Sequence, residues 1–377
     1  MLKVINLTME GRYAGPHAFI AACAKKLKND GIETTVVFPN EDSDFFLKKL
    51  CTMGVPAKRL PLHRLTKEKK HLIKYVLFFI PEIILLYNLI KKKGIDIVHC
   101  NNSWQFKGII AGKLAKKKVV WHLHETSTPF LINIIFKFLA KNFADAFITS
   151  GEKVRSYYLS DGRLSRKPIL EIQAPVDTLI FDPEKVEKDE KIADYSELKI
   201  VTVGNVNPLK GIEYFIGMAS ILSDQQDNLR FFVVGPHFYS QRKYSKKMLQ
   251  MVEDLELKNF HFYGPSDNVS SVLKAADIYV CSSIEEASPI SIWEAMSMAK
   301  AIVSTYVGDV VKFINNGENG YVTPIKDAAA LAEKVSLLIK DEGLRKKFGQ
   351  NAREVAVRCL DINVNAKKYV TFYNQLK

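Results

Sequence analysis

Lys199-Ile-Val-Thr-Val-Gly-Asn-Val-Asn-Pro-Leu-Lys-Gly211 decides how the chain is read. Lys199–Val203 has the composition of a buried strand; it breaks at Gly204 into a turn, and Lys210-Gly211 opens a helical stretch. The alternation extends in both directions. Phe231–Val234, His261–Phe262, Ile278–Cys281, Ala301–Ser304 and Tyr321–Val322 read as further strands with helices between them. Upstream, Lys3–Leu7, Thr34–Phe38, Ile95–His99, Lys118–His124 and Ala146–Thr149 repeat the pattern, and the helix His17–Asn29 stops at Asp30-Gly31. Strands that alternate with helices imply parallel sheets covered on both faces. Two such series predict an α/β protein of two doubly wound domains, with ligands at the carboxyl ends of the strands. The charged stretch Asp182–Glu197 is the expected linker, and Ile362–Leu376 is a helix with an aromatic face of Tyr369, Phe372 and Tyr373.

A chain of 377 residues, 47% hydrophobic, is long enough for two such domains. Its five cysteines (Cys23, Cys51, Cys100, Cys281 and Cys359) are scattered, with no C-x-x-C pair, and read as core residues of a reducing cytosol. Met1–Glu10 lacks the apolar core of a signal peptide and reads as a first strand. The net charge of +13 is uneven: residues 1–178 hold 29 Lys and Arg against 15 Asp and Glu, and the remainder holds 25 against 26. A basic first half asks for an anionic partner.

Two stretches of that half are apolar as well as basic. Lys67–Lys74 leads into the apolar run Tyr75–Ile90, closed by Lys91-Lys92-Lys93; the run is too short, and too interrupted at Pro81-Glu82, to span a bilayer. Phe130–Phe143 sets Lys137 and Lys141 among large apolar residues. Each fits a core helix with basic ends or an interfacial segment; with the charge asymmetry, the reading is peripheral contact with an anionic membrane surface. No nucleic-acid partner is expected, because the basic clusters lack interleaved stacking aromatics and match no recognition motif.

The chemistry concentrates in Ser283-Ile-Glu-Glu-Ala-Ser-Pro-Ile-Ser-Ile-Trp-Glu294. Ser288 is placed to cap a helix whose first residue is Pro289, with Glu286 in the loop before it and Glu294 about one and a half turns in. The free N–H groups of that first turn make an anion site flanked by two acceptors, which suits a sugar joined to a diphosphate. Lys210-Gly211 adds an ammonium near a second helix start. The P-loop spacing and the G-x-G-x-x-G dinucleotide signature are both absent. Asp42-Ser-Asp44 looks like a metal-binding D-x-D but reads as a helix cap. His99 and Trp293 read as structural. Of His122 and His124, one is expected toward the cleft and one in the core, with His124 favoured for the cleft.

Taken together, these motifs resemble the retaining glycosyltransferases of family 4 (glycosyl transferases group 1), over nearly the whole chain. The resemblance rests on Gly11–His17, Asp30–Pro39, Asp96–His99, Leu123-His-Glu125, Ala174-Pro-Val-Asp177, Val203–Gly211, Val234-Gly235, Phe262-Tyr-Gly264, Ala276-Asp277, Ser282-Ser283, the E-x7-E element Glu286–Glu294 and Asn316–Gly320. The E-x7-E element is the specific part. The resemblance implies a GT-B fold, two Rossmann-like domains facing a central cleft: residues 1–178 joined by the C-terminal helix 362–377 for acceptor and membrane, and 179–361 for the donor.

It also implies roles. Glu294 would accept from the nucleotide ribose, Glu286 would hold donor-sugar hydroxyls, and Ala287, Ser288, Pro289 and Ile290 would offer backbone N–H groups. Lys210 would neutralise the departing diphosphate. His124 would contact the sugar near the reacting carbon, while Gly15 would let backbone approach donor or acceptor, and Gly264 and Asn205 would line the donor site. The family needs no metal or cofactor and transfers with retention, the leaving phosphate taking the acceptor's proton, so the glutamates are not a glycosidase pair.

The implied activity is transfer of a hexose from a nucleotide-sugar, UDP- or GDP-linked, to a lipid-linked or growing glycan acceptor in surface polysaccharide or lipopolysaccharide assembly. It would take place in the cytoplasm, on the inner face of the membrane. The chain departs from the family pattern at Asn205, where Arg is usual, at Ala287, Ala299 and Asp309, where Gly is common, and at Ala301 for Pro. Arg12 is a candidate replacement cation. The departures keep alternatives open: a catalytically silent subunit or scaffold, or a nucleotide-sugar epimerase or phosphorylase on the same fold.

Overall fold

The computed structural model describes every residue except Ala14, Lys67 and Ser127. Ala14, in the glycine loop, and Lys67, at the head of the first basic run, therefore lie outside the described residues. The chain forms two units, Met1–Ala174 with Ile362–Lys377, and Pro175–Asp361.

Among the described residues the first unit is built on seven parallel strands, β1 (Leu2–Leu7), β2 (Ile32–Pro39), β3 (Ala57–Leu60), β4 (Ile97–Asn101), β5 (Lys118–Leu123), β6 (Ala146–Thr149) and β7 (Ile169–Glu171). Their order is β3-β2-β1-β4-β5-β6-β7. The helices between them are α1 (Gly15–Asn29), α2 (Asp44–Thr52), α3 (Lys69–Leu77), α4 (Phe79–Lys92), α5 (Phe106–Leu114), α6 (Phe130–Asn142) and α7 (Glu152–Leu159). Right-handed crossovers that run toward β3 put α1 and α2 on one face, and those that run toward β7 put α3 to α7 on the other. The contacts of α1 with α2, α4 with α5, and α5 with α6 follow that division. Strands β3 and β7 carry no apolar run in the sequence because both are edges: Lys58 and Arg59 are exposed, and β7 is half-buried throughout.

The second unit has six parallel strands, β8 (Leu198–Val203), β9 (Leu229–Val234), β10 (Phe260–Gly264), β11 (Ile278–Cys281), β12 (Ala301–Thr305) and β13 (Tyr321–Thr323), in the order β10-β9-β8-β11-β12-β13. Helices α8 (Glu190–Ala193), α9 (Ile212–Ser223), α10 (Arg242–Asp254), α11 (Val269–Ala275), α12 (Ile290–Ser297), α13 (Ala328–Lys340) and α14 (Glu342–Val355) cover it. One apolar layer joins Phe215, Phe231, Val335 and Phe348; another joins Tyr279, Ile292, Trp293 and Ile302. Helix α15 (Ile362–Leu376) returns to the first unit and buries Tyr369, Phe372 and Tyr373 with Leu2, Val4 and Leu27.

The expected linker is not one. The chain leaves the first unit at Ala174, and the Thr178 hydroxyl already bonds Asp361 Oδ2 of the second unit at 2.6 Å. Within 182–197, Asp182 is buried beside Arg353 at 3.0 Å, and Ile192 packs with Val201 and Phe232. Its charges are the outer face of a folded segment. The Asp42–Asp44 stretch does begin a helix, but without a side-chain cap: the Ser43 hydroxyl donates to Asn40 O at 2.8 Å, and Asp44 pairs with Arg59 at 2.5 Å.

Among the described residues no single helix is long and apolar enough to cross a membrane; α3 and α4 pass only as a pair bent by 57°. Neither apolar stretch is wholly core. Helix α4 buries Ile83, Leu86 and Ile90 while Ile80 and Ile84 stay exposed, and α6 buries Phe136 and Leu139 while Phe130 and Leu131 are 78% and 71% exposed.

Candidate functional site

The strand order of the second unit reverses between β8 and β11, so the loops leaving those neighbours diverge and frame a crevice at their carboxyl ends. The β8 loop carries Lys210 and the β11 loop carries Glu286. They are fastened together: Ile284 N donates to Leu209 O at 2.8 Å, Ser282 Oγ to Lys210 O at 3.0 Å, and Lys210 Nζ meets Glu286 Oε1 at 2.6 Å. Ser283 Oγ donates to the same Oε1 at 2.9 Å, which fixes the carboxylate's rotamer. Gly211 lies between the loops with φ +58°, and a Cβ there would fall 2.2 Å from Ser282 O, so only glycine permits the approach. Burial pulls the Lys210 ammonium down, but the carboxylates of Glu286 and Glu294 outweigh it and hold the pKa above its ordinary value.

Asn207 holds this lysine's turn. Its Oδ1 accepts from Leu209 N at 2.8 Å and Lys210 N at 3.3 Å, capping the one-turn 3-10 helix Pro208–Lys210. Its Nδ2 donates to Asn205 Oδ1 at 2.9 Å. The only sign of this role in the sequence is Asn207 followed by Pro208, a turn-starting pair.

Glu294 is the fifth residue of α12, half-buried, with its carboxyl pushed up to about 8 by burial and pulled partway back by Lys210. The cap expected from Ser288 is not made. The helix starts at Ile290 after Pro289, and Ser288 Oγ accepts instead from Trp293 Nε1 at 3.3 Å. The indole is wholly buried, and its N–H needs a partner at that position. Pro289 has no N–H, so the donors of this segment reduce to Ala287, Ser288 and Ile290. Gly308, at φ +50°, lies against the carbonyls of Glu286 and Ala287. Gly264 ends β10 at φ +85°, with β9 between it and β8.

In the first unit Gly15 opens α1, Arg12 pairs with Asp42 at 3.5 Å, and His124 follows β5. His122, in β5, and His124, one residue past its end, keep the two-residue alternation and lie on the same side rather than dividing between opposite faces. Their rings lie 3.8 Å apart, and depth separates them: His122 is buried and His124 half-buried. Asn101 Nδ2 donates to Asn6 Oδ1 at 2.6 Å and Leu7 O at 2.9 Å, so its Oδ1 accepts from His124 Nε2 at 3.2 Å. His124 Nδ1 therefore accepts from Ser150 Oγ at 3.0 Å. Burial, with help from His17, lowers its pKa to about 4 and keeps the ring neutral. Both ring nitrogens of His124 are thus engaged within the first unit. His99 is buried against Tyr373, Oη to Nδ1 2.5 Å, as a structural residue.

The family models match both halves: "Glycosyltransferase Family 4" over residues 14–178 and "Glycosyl transferases group 1" over residues 184–355. Only residues 1–13, 179–183 and 356–377 stay unmatched. The chain belongs to glycosyltransferase family 4. This glycosyltransferase is 25% identical to the N,N'-diacetylbacillosaminyl-diphospho-undecaprenol α-1,3-N-acetylgalactosaminyltransferase of Campylobacter jejuni, over 93% of each chain. It is 24% identical to the N-acetyl-α-D-glucosaminyl L-malate synthase of Bacillus anthracis, over 85% of this chain and 87% of that one. Among solved structures, a Rickettsia africae glycosyltransferase superposes with TM-score 0.85 at 19% identity, covering 100% of this chain and 98% of its own. Anabaena HepE, solved with UDP and glucose, gives 0.82 at 18% identity over 98% of each chain. The two Rossmann-like units are those of the GT-B fold.

Proposed function

We propose that this glycosyltransferase moves a sugar, with retention and without a metal, from a UDP- or GDP-sugar to a lipid-linked or growing glycan acceptor in cell-surface polysaccharide or lipopolysaccharide assembly. The observation that carries the reading is the joining of Lys210 to Glu286 at 2.6 Å at the switch point, with Glu294 close enough to shift the lysine's ionisation. In this reading Glu294 takes the ribose hydroxyls and Glu286 the sugar hydroxyls. Lys210 leaves Glu286 to meet the charge that grows on the diphosphate as the bond from C1 to phosphate oxygen breaks. The acceptor oxygen bonds C1 on the same face, and its proton passes to the departing phosphate. The Campylobacter relative's name specifies a diphospho-undecaprenol acceptor, and an Escherichia coli relative, 25% identical over 45% of this chain, is named a putative colanic acid biosynthesis glycosyltransferase; both support the choice of acceptor class. A lipid-linked acceptor fits a peripheral position on the inner membrane face, where anionic lipids meet the basic first half.

The test is turnover with a panel of UDP- and GDP-sugars. Lys210→Ala is expected to lower the transfer rate by about 10²–10³-fold, and Glu294→Ala to weaken nucleotide binding. Wild-type rates in both variants would remove the site from consideration.

A further inference from the structure

Thr34, Val36 and Phe38 share one face of β2, and α1 and α2 cover Val36 and Phe38 with Ile20, Phe46 and Leu50. At the amino end of the strand that cover stops. A cavity of about 370 Å³ opens there, between the C-terminal end of α1 and the turn from α2 into β3. Ala24, Thr34 and Val55 are its buried side, 4%, 4% and 5% exposed, and Met53 and Pro56 are half-buried walls. The Thr34 hydroxyl has no partner among the described residues, which marks the region as incompletely filled. Lys25 and Lys28, one turn apart on α1, line the cavity with Glu33, and none of the three has an ion-pair partner among the described residues. The cavity lies at the opposite end of the strands from the loops that carry Gly11 and His124.

The lining narrows the ligand. No aromatic ring is part of it, so a base or a sugar face finds nothing to stack on. Its apolar walls are aliphatic, and the flexible Met53 side chain adapts to a flexible chain. Two ammoniums against one carboxylate leave a single positive charge, which matches one carboxylate better than a dianionic phosphate. Helices α1 and α2 cover the sheet face opposite α4 and α6, so a chain that enters here comes from a free amphiphile rather than from a bilayer held by those helices. We propose that this cavity is an accessory binding site for a free medium-chain carboxylate, with its chain against Met53, Val55 and Pro56 and its head group between Lys25 and Lys28.

Calorimetric titration of the full chain with hexanoate, octanoate and decanoate, below their micellar concentrations, reads the chain contact. Each added pair of CH2 groups is expected to lower Kd about 10-fold. Octanol is expected to bind about 5-fold more weakly than octanoate, the scale of two exposed ion pairs. The double variant Lys25→Gln, Lys28→Gln should bring octanoate to the octanol value with Tm unchanged, because both side chains are exposed. Octanoate with a photoreactive diazirine at its chain end is expected to label residues within 24–34 or 53–56. A Kd that ignores chain length, equal binding of octanol and octanoate, or labelling elsewhere would overturn the proposal. So would labelling of the same residues by a diazirine phosphatidylglycerol in vesicles but not by the octanoate, since the chain would then come from a bilayer.

Discussion

At the residue scale, Glu294 is the group whose environment most constrains its chemistry. Burial pushes its carboxyl up to about 8, so in the free protein at neutral pH it is mostly a neutral acid. In the proposed role Glu294 accepts from ribose hydroxyls, which donate better to a carboxylate, so nucleotide binding is expected to draw the proton off. Linkage sets the sign: affinity rises as pH climbs toward 8, approaching about tenfold per unit, then levels off. Glu294→Gln is expected to flatten that profile, and a pH-independent Kd in the wild type would contradict the assigned role. The same shift acts on stability. The folded-state pKa lies above the ordinary value of 4.5, so ionisation costs stability; the cost is absent below that value and complete above 8. Glu294→Gln should therefore raise Tm more at pH 8 than at pH 5. Ala299 is a second constrained residue. It takes φ +53°, the left-handed region, where the family resemblance expects glycine, and it carries strain of about 1 kcal/mol.

At the scale of elements, α4 and α5 are joined by a buried ionic network. Glu82 and Lys107 are both almost fully buried and meet at 2.5 Å; Glu82 also holds His63 Nδ1 at 2.5 Å, and Lys107 Nζ donates to His63 O at 2.9 Å and sits 3.9 Å from the Tyr75 ring centroid. The network ties the segment after β3 and the elbow between α3 and α4 to the sheet layer. Lys107→Met leaves a buried carboxylate without its cation and is expected to cost about 3–5 kcal/mol by urea titration, while the double variant Glu82→Leu, Lys107→Met should cost much less. Additive losses would show that the pair is not coupled. None of this was legible from the chain, where Glu82 reads as an interruption of an apolar run. Central strands were legible because burial on both faces demands continuous apolar residues, and edges β3 and β7 were not, because nothing demands them there. The Lys210–Glu286 meeting was legible in outline, since each follows a strand that flanks the switch point. The engagement of the His124 ring was not, because Asn101 and Ser150 reach it from β4 and from the loop after β6.

At the scale of the molecule, the basic excess and two runs of exposed apolar side chains on neighbouring helical segments belong to the same unit. Helices α3, α4 and α6 lie in the layer over one face of the first sheet. Ile73, Val76, Leu77, Ile80 and Ile84 stay exposed around the elbow, as do Phe130, Leu131, Ile134, Ile135 and Phe138 in a stripe along α6. Water-facing stripes of this size are costly unless something covers them. Lys69, Lys70 and Lys74 precede the elbow, Lys91 to Lys93 follow it, and Lys137 stands beside the α6 stripe. Bulky side chains ringed by lysines suit an anionic bilayer surface, where each lysine adds about 1 kcal/mol and the apolar groups enter the acyl boundary. Sedimentation with phosphatidylglycerol vesicles is expected to carry the protein down, and raised salt to release it. Replacing Lys91, Lys92 and Lys93 with Gln should weaken binding and flatten its salt response. Replacing Phe130, Leu131 and Phe138 with Ser should weaken binding at every salt concentration while leaving Tm unchanged, because those side chains have little packing to lose. Equal binding to neutral phosphatidylcholine vesicles would mean that the lysines serve something other than lipid charge.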